Sequence, residues 1–176
     1  MEVTVNWPDN DREAAQRVEE LEQLASVLLE ANPPAGEGYT VEELAAIVRN
    51  AHGGEDAQGV ILPRDVLSGE AAADSGLLMA MEYLCQQCGI EAVMAWGEGP
   101  RQSWLIVSTP DGYRHLSADS LYAPAENPEV DPDGEKPEDP FVLYTDREMT
   151  VLGYEWPASL YPACEEPEPP EETELS

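Results

Sequence analysis

Apolar positions recur along the chain with two different periods, and the change from one to the other divides it. From Asp9 or Asn10 onward, Val18, Leu21, Ala25 and Leu28 fall at i, i+3, i+7 and i+10, the spacing of one helical face. The run "NPPAGEG" ends that helix. "TVEE" at Thr40–Glu43 is a capping-box signature, in which Thr40 caps and Glu43 reaches back. Leu44, Ile47 and Val48 then supply the apolar face of a second helix. "HGGEDAQG" reads as a loop and "ILPRDVLSG" as a short helical turn. Asp74 opens a third helix, with Leu78, Met81 and Cys85 on one side and Gly89 as its C-terminal cap.

Beyond Gly89 the period falls to two. "IEAVMAWG", "SWLIVST" and "YRHLSA" predict strands, with "TPDGY" as the hairpin turn between the last two. "FVLYT" resumes as a strand, and "DREMTVLGYEW" predicts a short helix and turn. "VTVNW" near the N-terminus reads as a further short strand. Helices followed by antiparallel strands indicate an α+β class.

Composition refines this picture at the ends and in one insertion. The 176 residues are 42% hydrophobic, enough for a single domain spanning residues 1–164. The stretch Pro124–Pro140 is rich in proline and acid and predicts a mobile surface loop. Residues 165–176, half of them glutamate, predict a disordered acidic tail. Thirty-seven acids against eight bases give a formal net charge of −29. That sign opposes binding to nucleic acid or to an anionic membrane, so neither is expected as a partner. No run approaches the ~20 apolar residues of a membrane span, and no basic or apolar leader is visible, so the expected location is cytoplasmic by default. The three cysteines, Cys85, Cys88 and Cys164, do not form a disulfide framework.

The local words "GIEAVMAWGEG", "SWLIVSTPDGYRHLSADSLYAP" and "FVLYTDREMTVLGYEWPASLYPAC" follow the helix "ADSGLLMAMEYLCQQC" in fixed order. Together they resemble bacterial transglutaminase-like domains, over roughly residues 40–164. The resemblance implies a papain-like core in which a helix begins at a catalytic cysteine and the next two strands carry a histidine and an aspartate. Aligning Gly76 and Gly89-Ile90 on that pattern sets the cysteine position at Asp74; aligning on Gly69 sets it at Ala73. Anchoring on Trp104 sets the histidine position at Gln102. Anchoring on His115 sets the aspartate position at Ser117. All three members of the triad are therefore expected to be missing.

That chemistry needs a thiolate at a helix N-terminus, an imidazole within hydrogen-bond reach and a group to orient the imidazole. Asp74, Gln102 and Ser117 supply none of these. As an aspartate at a helix start, Asp74 has a structural reading as an N-cap. The expected function is thus a catalytically inactive domain that binds a peptide or protein, with Asp74, Gln102, Trp104 and Ser117 as candidate groove residues. Trp104 alternates with Ile106 and also reads as core, and Trp96 and Trp156 could line the groove or pack at its rim. Two other classes compete. One is an enzyme with relocated groups, a hydrolase or acyltransferase using Asp74, Asp119 or His115. The other is an acidic decoy whose charge does the binding. Cys85-x-x-Cys88 lies near a helix C-terminus and reads as buried apolar filling. A zinc site would have to draw on Cys164, His52 and His115, so no metal or other cofactor is expected.

Overall fold

Five helices and one four-stranded antiparallel sheet form an α+β fold in the computed structural model, which describes residues 10–52, 61–70, 72–99, 102–122 and 141–165. The helices are α1 (Asn10–Ala31), α2 (Val41–Ala51), α3 (Pro63–Leu67), α4 (Asp74–Gln87) and α5 (Asp146–Val151). The strands are β1 (Ala92–Trp96), β2 (Ser103–Thr109), β3 (Gly112–Leu116) and β4 (Leu143–Tyr144), paired in the order β1-β2-β3-β4. A 3-10 turn, Ala118–Leu121, follows β3. The expected strand at "VTVNW", the acidic insertion Pro124–Pro140 and all of the acidic tail after Glu165 lie outside the described residues.

Local signals act where the residue pattern places them. Glu43 N–H donates to Thr40 Oγ1 at 3.2 Å, and Thr40 N–H donates to Glu43 Oε2 at 2.8 Å, completing the capping box of α2. The N–H of Ala35 also donates to Glu43. These backbone donors, Ala35 before Thr40, hold the Glu43 carboxyl below its ordinary range. At the far end of α4, Gly89 takes a φ of +72°, the left-handed conformation that lets the chain leave the helix without a Cβ penalty. The two-residue turn after Thr109 returns the chain with Thr109 opposite Gly112.

The apolar run of β2 has a structural cause: both faces of the sheet are covered. Leu105, Val107 and Leu116 point into the main core with Leu44, Val48, Leu77, Leu78, Met81 and Leu84 of the helices. Trp104, Ile106 and Ala95 point the other way, under Met149 and Cys164 of the C-terminal segment. Two-sided burial favours continuous hydrophobic residues over a polar alternation. The expected strand "FVLYT" shortens to Leu143–Tyr144, because Thr145 leaves the sheet to cap α5, accepting from Glu148 N–H.

Candidate functional site

The start of α4 carries no thiol. Ala73, not Asp74, is the N-cap residue; Asp74 is the first helical position, which corrects its reading as the capping side chain. The physical reason lies in its partner. The exposed Asp74 carboxylate accepts a 2.6 Å hydrogen bond from the Tyr122 hydroxyl instead of turning back onto its own helix. Its charge still suits the positive end of the α4 dipole. Tyr122 leaves the 3-10 turn and meets the His52 ring edge-on at 5.9 Å, while His52 Nε2 lies 3.0 Å from the Leu121 carbonyl oxygen. The Tyr154 phenol is pushed above its ordinary value, first by burial and then by Asp119, Tyr144 and Asp74. Acidic and aromatic groups therefore share this part of the surface.

The other expected site residues divide between surface and core. Gln102 precedes β2, where its side chain lies over Gly97 and Gly99 of the turn after β1 and its carbonyl accepts from Gly97 N–H. Ser117 follows β3 and stands at the N-cap of the 3-10 turn, without a side-chain cap bond. No hydrogen bond joins Asp74, Gln102 and Ser117 among the described residues. Trp104 is fully buried (0% exposed), so its indole lines no open groove; its core reading holds. Trp156 is half-buried, edge-on to Trp104 at 5.8 Å and to His115 at 5.1 Å, whereas Trp96 is 59% exposed.

Under the C-terminal segment lies a polar chain that the motif spacing did not reveal. Trp104 Nε1–H donates to His115 Nδ1 at 2.8 Å, and His115 Nε2 lies 2.7 Å from Asp146 Oδ1. An indole N–H can only donate. His115 Nδ1 must therefore be the acceptor, which leaves the ring proton on Nε2, donated to Asp146. This is the neutral tautomer. Burial holds the imidazole pKa below 6.5, against the upward pull of Asp146. Asp146 in turn accepts from Cys164 N–H through Oδ2 at 3.2 Å, and its own N–H donates to the Cys164 carbonyl at 2.9 Å. The chain clasps β2, β3, α5 and the segment at Cys164 together.

A histidine, a carboxylate and a thiol within 4.8 Å of one another suggest either a catalytic triad or a metal centre. The bonding pattern argues against both. Each imidazole nitrogen already has a partner, so none is left to deprotonate Cys164. The fully buried thiol is pushed up to about 12 by desolvation and by Asp146, the reverse of activation. A metal on Nε2 would move the ring proton to Nδ1, directly against the Trp104 N–H. His52, expected as a possible zinc partner, is not part of this group. Cys85 is fully buried with its thiol also pushed up to about 12, and Cys88 is half-buried at the end of α4. Asp146 was the missed residue; Thr145-x-x-Glu148, a second capping box, was the sequence signal that marks where its helix begins.

No protein-family model, curated protein or solved structure matched the chain. Among the described residues, no helix is long and apolar enough to cross a membrane.

Proposed function

We propose that this chain is a catalytically inactive transglutaminase-like domain that binds a peptide or protein at the start of α4. The observation that carries the reading is Asp74 itself. At the helix start, where the resemblance requires an activated thiol, stands a carboxylate held by Tyr122. A carboxylate is a poor nucleophile toward amides, and the dipole that would activate a thiol here stabilises a spent charge instead. The reading with relocated catalytic groups finds no free base at His115, where both ring nitrogens are engaged. Asp74, Asp119, Tyr122 and Tyr154 offer hydroxyl, carboxylate and aromatic groups suited to an extended ligand bearing donors.

The test has two arms. The purified chain, given a glutamine-rich protein and a labelled primary amine, should incorporate no label, and it should cleave no peptide. Turnover by the unaltered chain refutes inactivity. Peptides selected on the chain from a random library should lose binding to Asp74→Arg. Selected peptides that bind that variant equally well would place recognition elsewhere and overturn the assignment of the surface.

A further inference from the structure

The two edges of the sheet differ. On one side β4 ends after two residues, because Thr145 leaves it to cap α5. On the other side β1 presents five residues without the usual guards of a free edge. Ala92–Trp96 holds no proline and no charged residue. Its register with β2 runs one to one from Ala92 opposite Val107 to Trp96 opposite Ser103, with no bulge to twist the edge away.

Hydrogen bonds at the two ends of β1 fix which backbone groups face outward. Ser108 N–H donates to the Glu91 carbonyl at 2.8 Å, and Gly97 N–H donates to the Gln102 carbonyl at 2.8 Å. Bonded and non-bonded pairs alternate along an antiparallel ladder, so Glu91, Val93, Ala95 and Gly97 turn their backbone groups toward β2. Ala92, Met94 and Trp96 turn theirs to the open side. The hydroxyl of Tyr161 agrees with this assignment, accepting from Trp96 N–H at 3.2 Å on that side. Among the described residues, no other hydrogen bond reaches the outer backbone of β1. The N–H groups of Ala92 and Met94, and the carbonyls of all three residues, therefore remain open to a further strand. Ala92 and Met94 are half-buried, packed against the main core without being enclosed.

Charge decides what such a strand carries. Glu98 N–H donates to the Glu155 carbonyl at 2.9 Å, which brings two acidic residues together beyond the Trp96 end of the edge. Residues 89–99 and 152–165 contain no lysine, arginine or histidine. The Trp96 indole, 59% exposed, adds an aromatic face for a cation. A second copy of the chain, with its own formal charge of −29, is repelled.

We propose that β1 is a docking edge for an extended segment of a basic partner protein, added as a fifth strand with an arginine or lysine beside Trp96, Glu98 and Glu155. The open backbone groups supply the pairing, and the acidic end supplies the preference. The proposal does not rest on the reading of Asp74, so either can fail alone.

Cyclic β-hairpin peptides test it, because a preformed strand loses little entropy on binding. The first has the outer strand Arg-Val-Thr-Val-Arg and the second Glu-Val-Thr-Val-Glu. The third is the arginine peptide N-methylated at its outward amides. Titrated into the full chain, the arginine peptide should shift the Ala92 and Met94 amide resonances and slow their hydrogen exchange. The glutamate and methylated peptides should each bind at least about tenfold more weakly. Glu98→Gln with Glu155→Gln should narrow the preference for arginine over glutamate. Ala92→Pro removes one outward donor at the first position of the strand, where proline is tolerated, and should weaken the arginine peptide with an unchanged circular dichroism spectrum. Equal binding of the methylated or the glutamate peptide, a preference untouched by the Gln variants, or full binding by a folded Ala92→Pro chain would each overturn the proposal. So would shifts centred away from β1, or no binding at millimolar peptide. A concentration-dependent dimer with the Ala92 and Met94 amides protected in the free chain would assign the edge to a second copy and overturn it as well.

Discussion

Mild acid should weaken the fold through one residue. His115 is buried as the neutral Nε2–H tautomer, with its pKa lowered below 6.5 by burial. A second proton would have to sit on Nδ1, facing the Trp104 N–H that now donates to it. The unfolded chain therefore takes up this proton at higher pH than the native one. For a depressed pKa of this kind, the stabilising contribution is complete above the unfolded value, about 6.5, and drains as pH falls toward the folded value. One proton changes stability by at most about 1.4 kcal/mol per pH unit, and over the first unit below 6.5 the loss integrates to at most about 1 kcal/mol. Glu43 and Glu148, whose carboxyls are held below 4.5 by backbone donors, lose their contributions only at lower pH, so the two windows separate. The reference is His115→Asn, whose side-chain oxygen can take the Trp104 proton in place of Nδ1 but does not titrate. In urea unfolding at matched ionic strength, the unaltered chain should lose more stability than the Asn variant between pH ~6.5 and ~5.5, by up to about 1 kcal/mol. Imidazole NMR should show a proton on Nε2, with titration below 6.5. Parallel losses in the two proteins, or a His115 that titrates at or above 6.5, would refute the tautomer argument.

Three further outcomes follow from local geometry. Gly76→Ala should lower stability by about 1 kcal/mol and the melting temperature by about 2–4 °C. The added Cβ would lie 2.9 Å from Ile61 Cγ2 and 3.1 Å from Val66 Cγ2, which outweighs the better helix propensity of alanine; a rise in melting temperature in a thermal scan would show that α3 yields. A thiol reagent should label Cys88 alone in the native chain and all three cysteines in denaturant. Cys85 and Cys164 are fully buried, with thiols pushed up to about 12, and mass spectrometry of the labelled peptides decides the point. Thr145→Ala should cost about 1 kcal/mol by chemical denaturation through loss of the α5 cap, and should shift the His115 ring resonances because α5 carries Asp146.

Much of the scaffold was legible because its signals are local. The capping box at Thr40, the left-handed Gly89 and the change of apolar period after it each fix structure within a few residues, and each stands where the pattern placed it. The α+β class follows from them. The length of the last strand was not legible, since "FVLYT" has good strand propensity throughout. What shortens it is competition, with Thr145 used as a helix cap rather than a sheet residue. Propensity is scored residue by residue, whereas a cap depends on Glu148 three positions ahead.

The candidate site divides along the same line. That the start of α4 carries a carboxylate and no thiol could be read from the residue pattern, because it concerns a single side chain at a single place. The partner of Asp74 could not, because Tyr122 comes from 48 residues away and arrives only after the sheet and the 3-10 turn have formed. His115 illustrates the limit most sharply. As one histidine in a strand it was readable as a candidate catalytic or zinc-binding group, but a buried, fully bonded imidazole needs two partners that the pattern does not name. Trp104 is eleven residues away across a hairpin and Asp146 thirty-one residues away across the acidic insertion. Register decides the first: Leu105 opposite Leu116 and Ile106 opposite His115 set Trp104 and His115 on one face as diagonal neighbours, close enough for long rings to meet. A slip of one residue would turn the two rings to opposite faces and leave a buried imidazole without its donor. The hydrogen bond from Trp104 is thus a condition on the pairing of β2 with β3, and the same bond that keeps His115 from acting as a base keeps the hairpin in register.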